Sequence, residues 1–236
     1  MAKRYAYATP YLLSFIGGML PPAIMLMLLS DENFQVRKGA KPSYGTIEVV
    51  RALLTIKKVG LVSRAQLSEE LGIGEGAVRS LVRRLSLMGL VEVIRSGCRL
   101  TATGEQVVSA FSEHVRGPYE LDLTDVWNHA KSIGLSVREG ARIVGKGLEE
   151  RDEAVRHGAE AAMVLIYRTG RVLMPELEDV TSRYPHFSEK ITSSIKPVEN
   201  DCIIIAGASS YRRAESGALG AALSLLRKLW SSQITQ

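Results

Sequence analysis

The sequence predicts an α/β (α+β) chain of two domains: a helical domain ending in a β-hairpin, then a small C-terminal α/β domain. Two patterns predict it. Between Tyr44 and Phe111 apolar residues recur at three- and four-residue spacing and then alternate, which is the signature of helices followed by strands. In the second half a wholly apolar run, "CIIIAG", passes through small residues into a long helical pattern, as a buried strand feeding a helix does. The chain has 236 residues, 46% hydrophobic and 23% charged, which suits two globular domains and excludes a disordered polymer.

The first element to justify is the apolar run from Tyr5 to Ser30, which has no charged side chain and follows Lys3 and Arg4. About 20 apolar residues suffice to cross a bilayer, but Gly17, Gly18, Pro21 and Pro22 break this run into pieces too short to span. A secretion signal would need a small-residue cleavage site, and "LLSDENF" follows instead. The expectation for residues 1–43 is therefore two short buried or dimer-forming helices. A membrane anchor, a signal and a start at Met25 or Met27 stay open as alternatives.

Residues 44–111 read as helix, helix, helix and hairpin. In "TIEVVRALLTIKKVG" Ile47, Val50, Leu53, Leu54 and Ile56 mark a first helix closed by Gly60. Ser63, with Gln66 three residues on, forms a capping-box pattern for a short second helix that exits at Gly72. The third helix carries Val78, Leu81, Val82 and Leu85 on one stripe, and Glu75, Arg79, Ser80, Arg83 and Arg84 on the other face. "LVEVIRSGCRLTATG" then alternates as two strands around Ser96-Gly97, with Arg95 and Arg99 flanking the turn.

The run "SRAQLSEELGIGEGAVRSLVRRLSLMGLVEVIRSGCRLTATG" resembles the winged helix-turn-helix of bacterial and archaeal transcription regulators. That resemblance implies a third helix entering the major groove of double-stranded DNA and a hairpin wing lying on phosphate. Carried over by position, it makes Ser63, Arg79, Ser80, Arg83, Arg84, Arg95 and Arg99 the candidate DNA-binding residues. Arginine suits both tasks, since its planar fork pairs with guanine or clamps a phosphate. Glu75 departs from this chemistry because a carboxylate repels phosphate. A winged helix used for protein contact, with arginines that only keep the helix solvated, is the competing reading.

After Phe111, "SEHVRGPYE" shows no periodicity and contains Gly-Pro, so residues 112–120 are expected to be a linker to a domain at 121–236. There "GARIVGKG" reads as a short strand, "LEERDEAVRHG" as a charged helix, and "AEAAMVLIYRTGRVLMP" as two strands around Thr169-Gly170. The turn "AGASSYRR" joins the apolar strand to the last helix. Its backbone amides could meet an anionic small-molecule effector at Gly207, Ala208, Ser209, Ser210 and Tyr211, with Arg212 and Arg213 closing over it. The plainer reading is that Gly217, Ala218, Gly220, Ala221 and Ala222 only let that helix pack closely.

The chemistry that is missing is equally informative. Neither "GxxxxGK[ST]" nor "GxGxxG" occurs at the turn, and Ser209 and Ser210 have no visible His and Asp partners, so no catalytic residue is assigned. Cys98 and Cys202 lack metal-ligand spacing, and His114, His129, His157 and His186 lie in separate segments, so no metal or cofactor is expected. A net charge of +5 permits a nucleic-acid partner without requiring one. With "ERDEAVRHGAEAAMVLIYRTGRVLMP" and "AGASSYRRAESGALGAAL", the arrangement resembles a small group of archaeal proteins that join a winged helix to an uncharacterised C-terminal domain. The expectation is a cytoplasmic, homodimeric transcriptional regulator rather than an enzyme, with a membrane association disfavoured. A winged-helix-fused metabolic enzyme acting on a nucleotide or phosphometabolite is the alternative.

Overall fold

The structure, a computed structural model, describes residues 43–176 and 178–234. The apolar run from Tyr5 to Ser30, with its expected dimer contact, lies outside them. Among the described residues no helix is long and apolar enough to cross a membrane. The fold mixes helices with two sheets, one two-stranded and one six-stranded, and the chain divides into two compact units between Phe111 and Ser112.

The first unit contains α1 (Thr46–Val59), α2 (Arg64–Leu71), α3 (Glu75–Leu87), the hairpin β1 (Val91–Ile94) and β2 (Gly97–Leu100), and then most of α4 (Ala102–His114). Each helix forms because its apolar stripe finds a common core. α1 buries Ile47, Val50, Leu53 and Ile56, and α3 buries Val78, Leu81, Val82 and Leu85. Burying a side chain of this kind contributes about 1.5–3 kcal/mol, more than the few tenths separating helix propensities, so the stripe decides the element.

The hairpin is anchored to the helices by a short third strand position. Val62 N–H donates to Cys98 O at 3.0 Å and Cys98 N–H to Val62 O at 2.8 Å. Gly97 makes this approach possible, because a Cβ there would sit 2.5 Å from Val62 O. Two expectations are corrected here. The turn is Arg95-Ser96 rather than Ser96-Gly97, since Ile94 pairs with Gly97. After the hairpin the chain forms α4, which the alternation had hidden. Thr101 starts it as a cap, its Oγ1 accepting the Gly104 N–H at 3.0 Å.

The second unit is a six-stranded sheet in the order β3-β4-β8-β5-β6-β7, antiparallel at every pairing. Its strands are β3 (Val115–Leu121), β4 (Lys131–Val137), β5 (Ala161–Arg168), β6 (Arg171–Met174), β7 (Glu178–Asp179) and β8 (Cys202–Ala208). Every residue of β8 is buried, as its unbroken apolar pattern requires of a central strand covered on both faces. α5 (Leu148–Arg156) and α8 (Tyr211–Ile234) cover one face. The short α6 (Val180–Arg183) and α7 (Pro185–Ile195) cover the other, where Ile191 and Ile195 meet Ile203, Ile205 and Leu165.

The expected linker at 112–120 is instead the end of α4 and most of β3. Gly117-Pro118 hides the strand in the sequence, and the sheet accommodates it as an edge strand whose register shifts between Arg116 and Tyr119. The strand expected at 140–147 is a 3-10 turn, Gly140–Arg142, followed by loop. Gly140 closes tightly there, a Cβ falling 2.6 Å from that of Cys202, so the segment packs as a corner rather than pairing. Close packing also explains the glycines of α8. A Cβ on Gly217 would lie 2.6 Å from Ala159 Cβ, and one on Gly220 would strike His157.

Candidate nucleic-acid interface

Three local devices hold α2 and α3 in place. Ser63 Oγ accepts the Gln66 N–H at 3.2 Å while Ser63 N–H donates to Gln66 Oε1 at 2.9 Å, so the capping box forms. Gly72 ends α2 in the left-handed region at φ 68°. Arg51, buried in α1, donates to Glu70 O at 3.0 Å and to Leu71 O at 3.4 Å, placing a cation on the carbonyl end of α2. Sequence reasoning missed Arg51 because it sits inside an apolar stripe.

Beside α3 lies an open groove of about 260 Å³ lined by Arg64, Arg79, Val82, Arg83, Ser86, Leu87 and Val93. Arg64, Arg79 and Arg83 are exposed, and none has an ion-pair partner among the described residues. No carboxylate lines the groove. Arg64, the first residue of α2, is the member that sequence reasoning overlooked, although its place directly after the Ser63 cap was a usable signal. Its charge is felt nearby: burial raises the Cys98 thiol above its ordinary pKa, and Arg64 partly opposes that shift.

The other expected DNA contacts divide. Ser80 is exposed on the same helix and shares a 3.4 Å hydrogen bond with the Tyr44 hydroxyl. Arg84 is half-buried and is not among the groove's lining residues. Arg95 stands exposed in the hairpin turn itself. Arg99 faces Glu92 across the hairpin and is paired with it at 2.8 Å. Ser63 spends an oxygen lone pair on its helix cap, which leaves its hydroxyl proton as a donor.

In the second unit the turn between β8 and α8 carries the expected ligand residues, and one of the protein's own carboxylates sits on it. Ser209 N–H donates to Glu160 Oε1 at 3.1 Å, and Arg213 Nη1 meets the same oxygen at 3.1 Å. Arg213 also donates to Gly158 O and to Ser209 Oγ. The Ser209 side chain and amide hold the Glu160 carboxyl below its ordinary pKa. Gly207 is covered by Trp127 and His129, both within 2.9 Å of where its Cβ would be, and Ala208 is buried. Ser210, Tyr211 and Arg212 are exposed, and Lys131 lies over the Tyr211 ring at 4.8 Å. Glu160 was not legible as part of this site, standing 49 residues before Ser209. Among the described residues no group of three or more His, Cys, Asp or Glu side chains is placed to hold a metal ion.

Comparisons with known proteins bear on the fold more than on the chemistry. No curated protein matches the chain. A solved structure, the hypothetical protein PH0730 from Pyrococcus horikoshii OT3, is 26% identical and superposes with a TM-score of 0.66 over 82% of this chain and 98% of that one. The chain is thus similar to an archaeal protein across both units. Residues 129–225, which hold β4, β5, β8 and the turn before α8, match the family described as Domain of unknown function (DUF4443).

Proposed function

We propose that this chain is a DNA-binding transcriptional regulator of the winged helix-turn-helix kind, acting in the cytoplasm as a homodimer, with a C-terminal unit that senses an anionic small molecule. One observation carries the reading: Arg64, Arg79 and Arg83 converge on one open groove beside α3, with no acidic residue lining it. Three exposed guanidiniums lining one groove with no carboxylate in that lining repel one another, so the groove favours a polyanion, and release of counterions from DNA drives that association. α3 supplies the rigid ridge for a major groove, and Arg95 at the hairpin tip supplies the outlying phosphate contact. The chain acts by binding and is not an enzyme.

The sensing role rests on the β8–α8 turn. A carboxylate already occupies it, which supports a seat for negative charge; an effector bearing phosphate or carboxylate takes the place of Glu160 on the Ser209 amide and Arg213. Duplex binding tests the regulator reading directly. Fluorescence anisotropy on a library-selected duplex should show Arg79→Ala and Arg83→Ala each weakening binding by about 1–3 kcal/mol, with circular dichroism unchanged. Wild-type affinity in both variants at matched salt defeats it.

A further inference from the structure

Two large apolar side chains share the arginine groove without being part of any core. Leu87, the last residue of α3, is 72% exposed and Val93 of β1 is 55% exposed. The core of this unit does not need them: the α3 stripe ends at Leu85, and Val93 pairs across the hairpin with Cys98, which is itself 1% exposed. Val93 therefore shares the face of buried Cys98 but stays exposed at the rim of the packed interior. A single exposed leucine or valine is ordinary on a protein surface. A pair in one concavity, walled by three guanidiniums, combines two chemistries that a simple phosphate clamp would not use.

We propose that Leu87 and Val93 form an apolar seat for the 5-methyl group of thymine, giving the interface a preference for thymine next to the bases or phosphates held by Arg79 and Arg83. This rests on the DNA reading of the same groove. In the major groove only thymine among the four bases presents a methyl group, and apolar side chains are the groups that distinguish it. Charge complementarity selects the occupant: a partner that presents methyl groups beside closely spaced negative charges satisfies both parts of the lining, and duplex DNA does so at each thymine. A second copy of the chain would bring its own like-charged groove against these arginines.

The test uses the full chain and a duplex selected from a randomised library, with each thymine replaced in turn by deoxyuridine, which removes the methyl and nothing else. Withdrawing one methyl should weaken wild-type binding about four-fold at one or two positions, as expected for about one buried methyl or methylene group. The same replacements should have no effect on Leu87→Ala or on Val93→Ala, the substitutions lying at exposed positions. If no thymine is sensitive, or if both variants keep the full four-fold loss, the methyl seat is overturned while the arginine dependence of binding stands. If Leu87→Ala abolishes self-association in sedimentation velocity without altering thymine sensitivity, the pair is a seam between copies and the proposal fails. If binding is indifferent to Arg79 and Arg83 as well, the DNA reading falls and takes this one with it.

Discussion

Arg83 in the α3 groove and Arg213 at the start of α8 are both exposed guanidiniums on helices, yet their surroundings are opposite. Arg83 shares its groove with two further arginines and no lining carboxylate. Arg213 is held by Glu160, Gly158 O and Ser209 Oγ. The second unit spends charge in the same way elsewhere. Arg116 pairs with buried Asp201, which also accepts from the Val198 N–H at 2.9 Å, and Lys228 reaches the nearly fully buried Glu150 at 2.6 Å. The contrast separates cations whose groove holds no carboxylate from cations already neutralised within the fold. Net charge does not report that difference, since both kinds count equally toward +5.

The largest expected effect tests the internal side of the contrast. Asp201→Ala removes the buried acceptor shared by Arg116, the Ser136 hydroxyl and the Val198 amide, so the second unit should lose about 2–4 kcal/mol in urea denaturation. A loss below about 1 kcal/mol would mean that these pairs are ordinary surface contacts. Next comes a direct exchange between regions. Arg83→Ala should weaken duplex binding by about 1–3 kcal/mol, and Arg213→Ala should leave DNA affinity in the absence of effector unchanged. Equal effects would erase the distinction.

A smaller effect divides the hairpin. Arg95→Ala should lower the slope of log affinity against log salt by about one unit, because the phosphate contact proposed for Arg95 is removed. Glu92→Gln should do the reverse, releasing Arg99 from its 2.8 Å pair and steepening the slope. The smallest effect is at Glu160. Its folded pKa is depressed by the Ser209 hydrogen bonds, so its contribution to stability is full above the ordinary value of 4.5 and is lost as pH falls through the folded value. Thermal midpoints of wild type and Glu160→Gln should therefore converge on acidification, and a constant gap would show that the carboxylate's charge contributes nothing.

Sequence reading was most informative where one local period governed the outcome. The stripe Val78, Leu81, Val82 and Leu85 and the Ser63–Gln66 capping box are both short-range patterns, and both are found as expected. It was least informative where a distant partner intervened. Arg99 looked available until a one-residue difference in the turn set it opposite Glu92. The β8–α8 turn looked open because Glu160 reaches it across 49 positions. β3 was concealed by Gly117-Pro118, since an edge strand tolerates a proline that local rules assign to a linker.

The strand order also has a consequence in time. β8 sits between β4 and β5, pairing with each along most of its length, so it joins the β3–β4 half of the sheet to the β5–β6–β7 half. During synthesis the first unit has all its strands and helices before the second has its keystone. Until residues 202–208 emerge, β4 and β5 each present an unpaired apolar edge, and contacts such as Ser136 with Asp201, 65 residues apart, have not formed. Loop closure over such separations is slow, and exposed strand edges in the interval invite pairing with another chain. A nascent chain stalled before β8 should thus carry a folded first unit and an aggregation-prone second one, making the pace of translation through the last strand a determinant of yield.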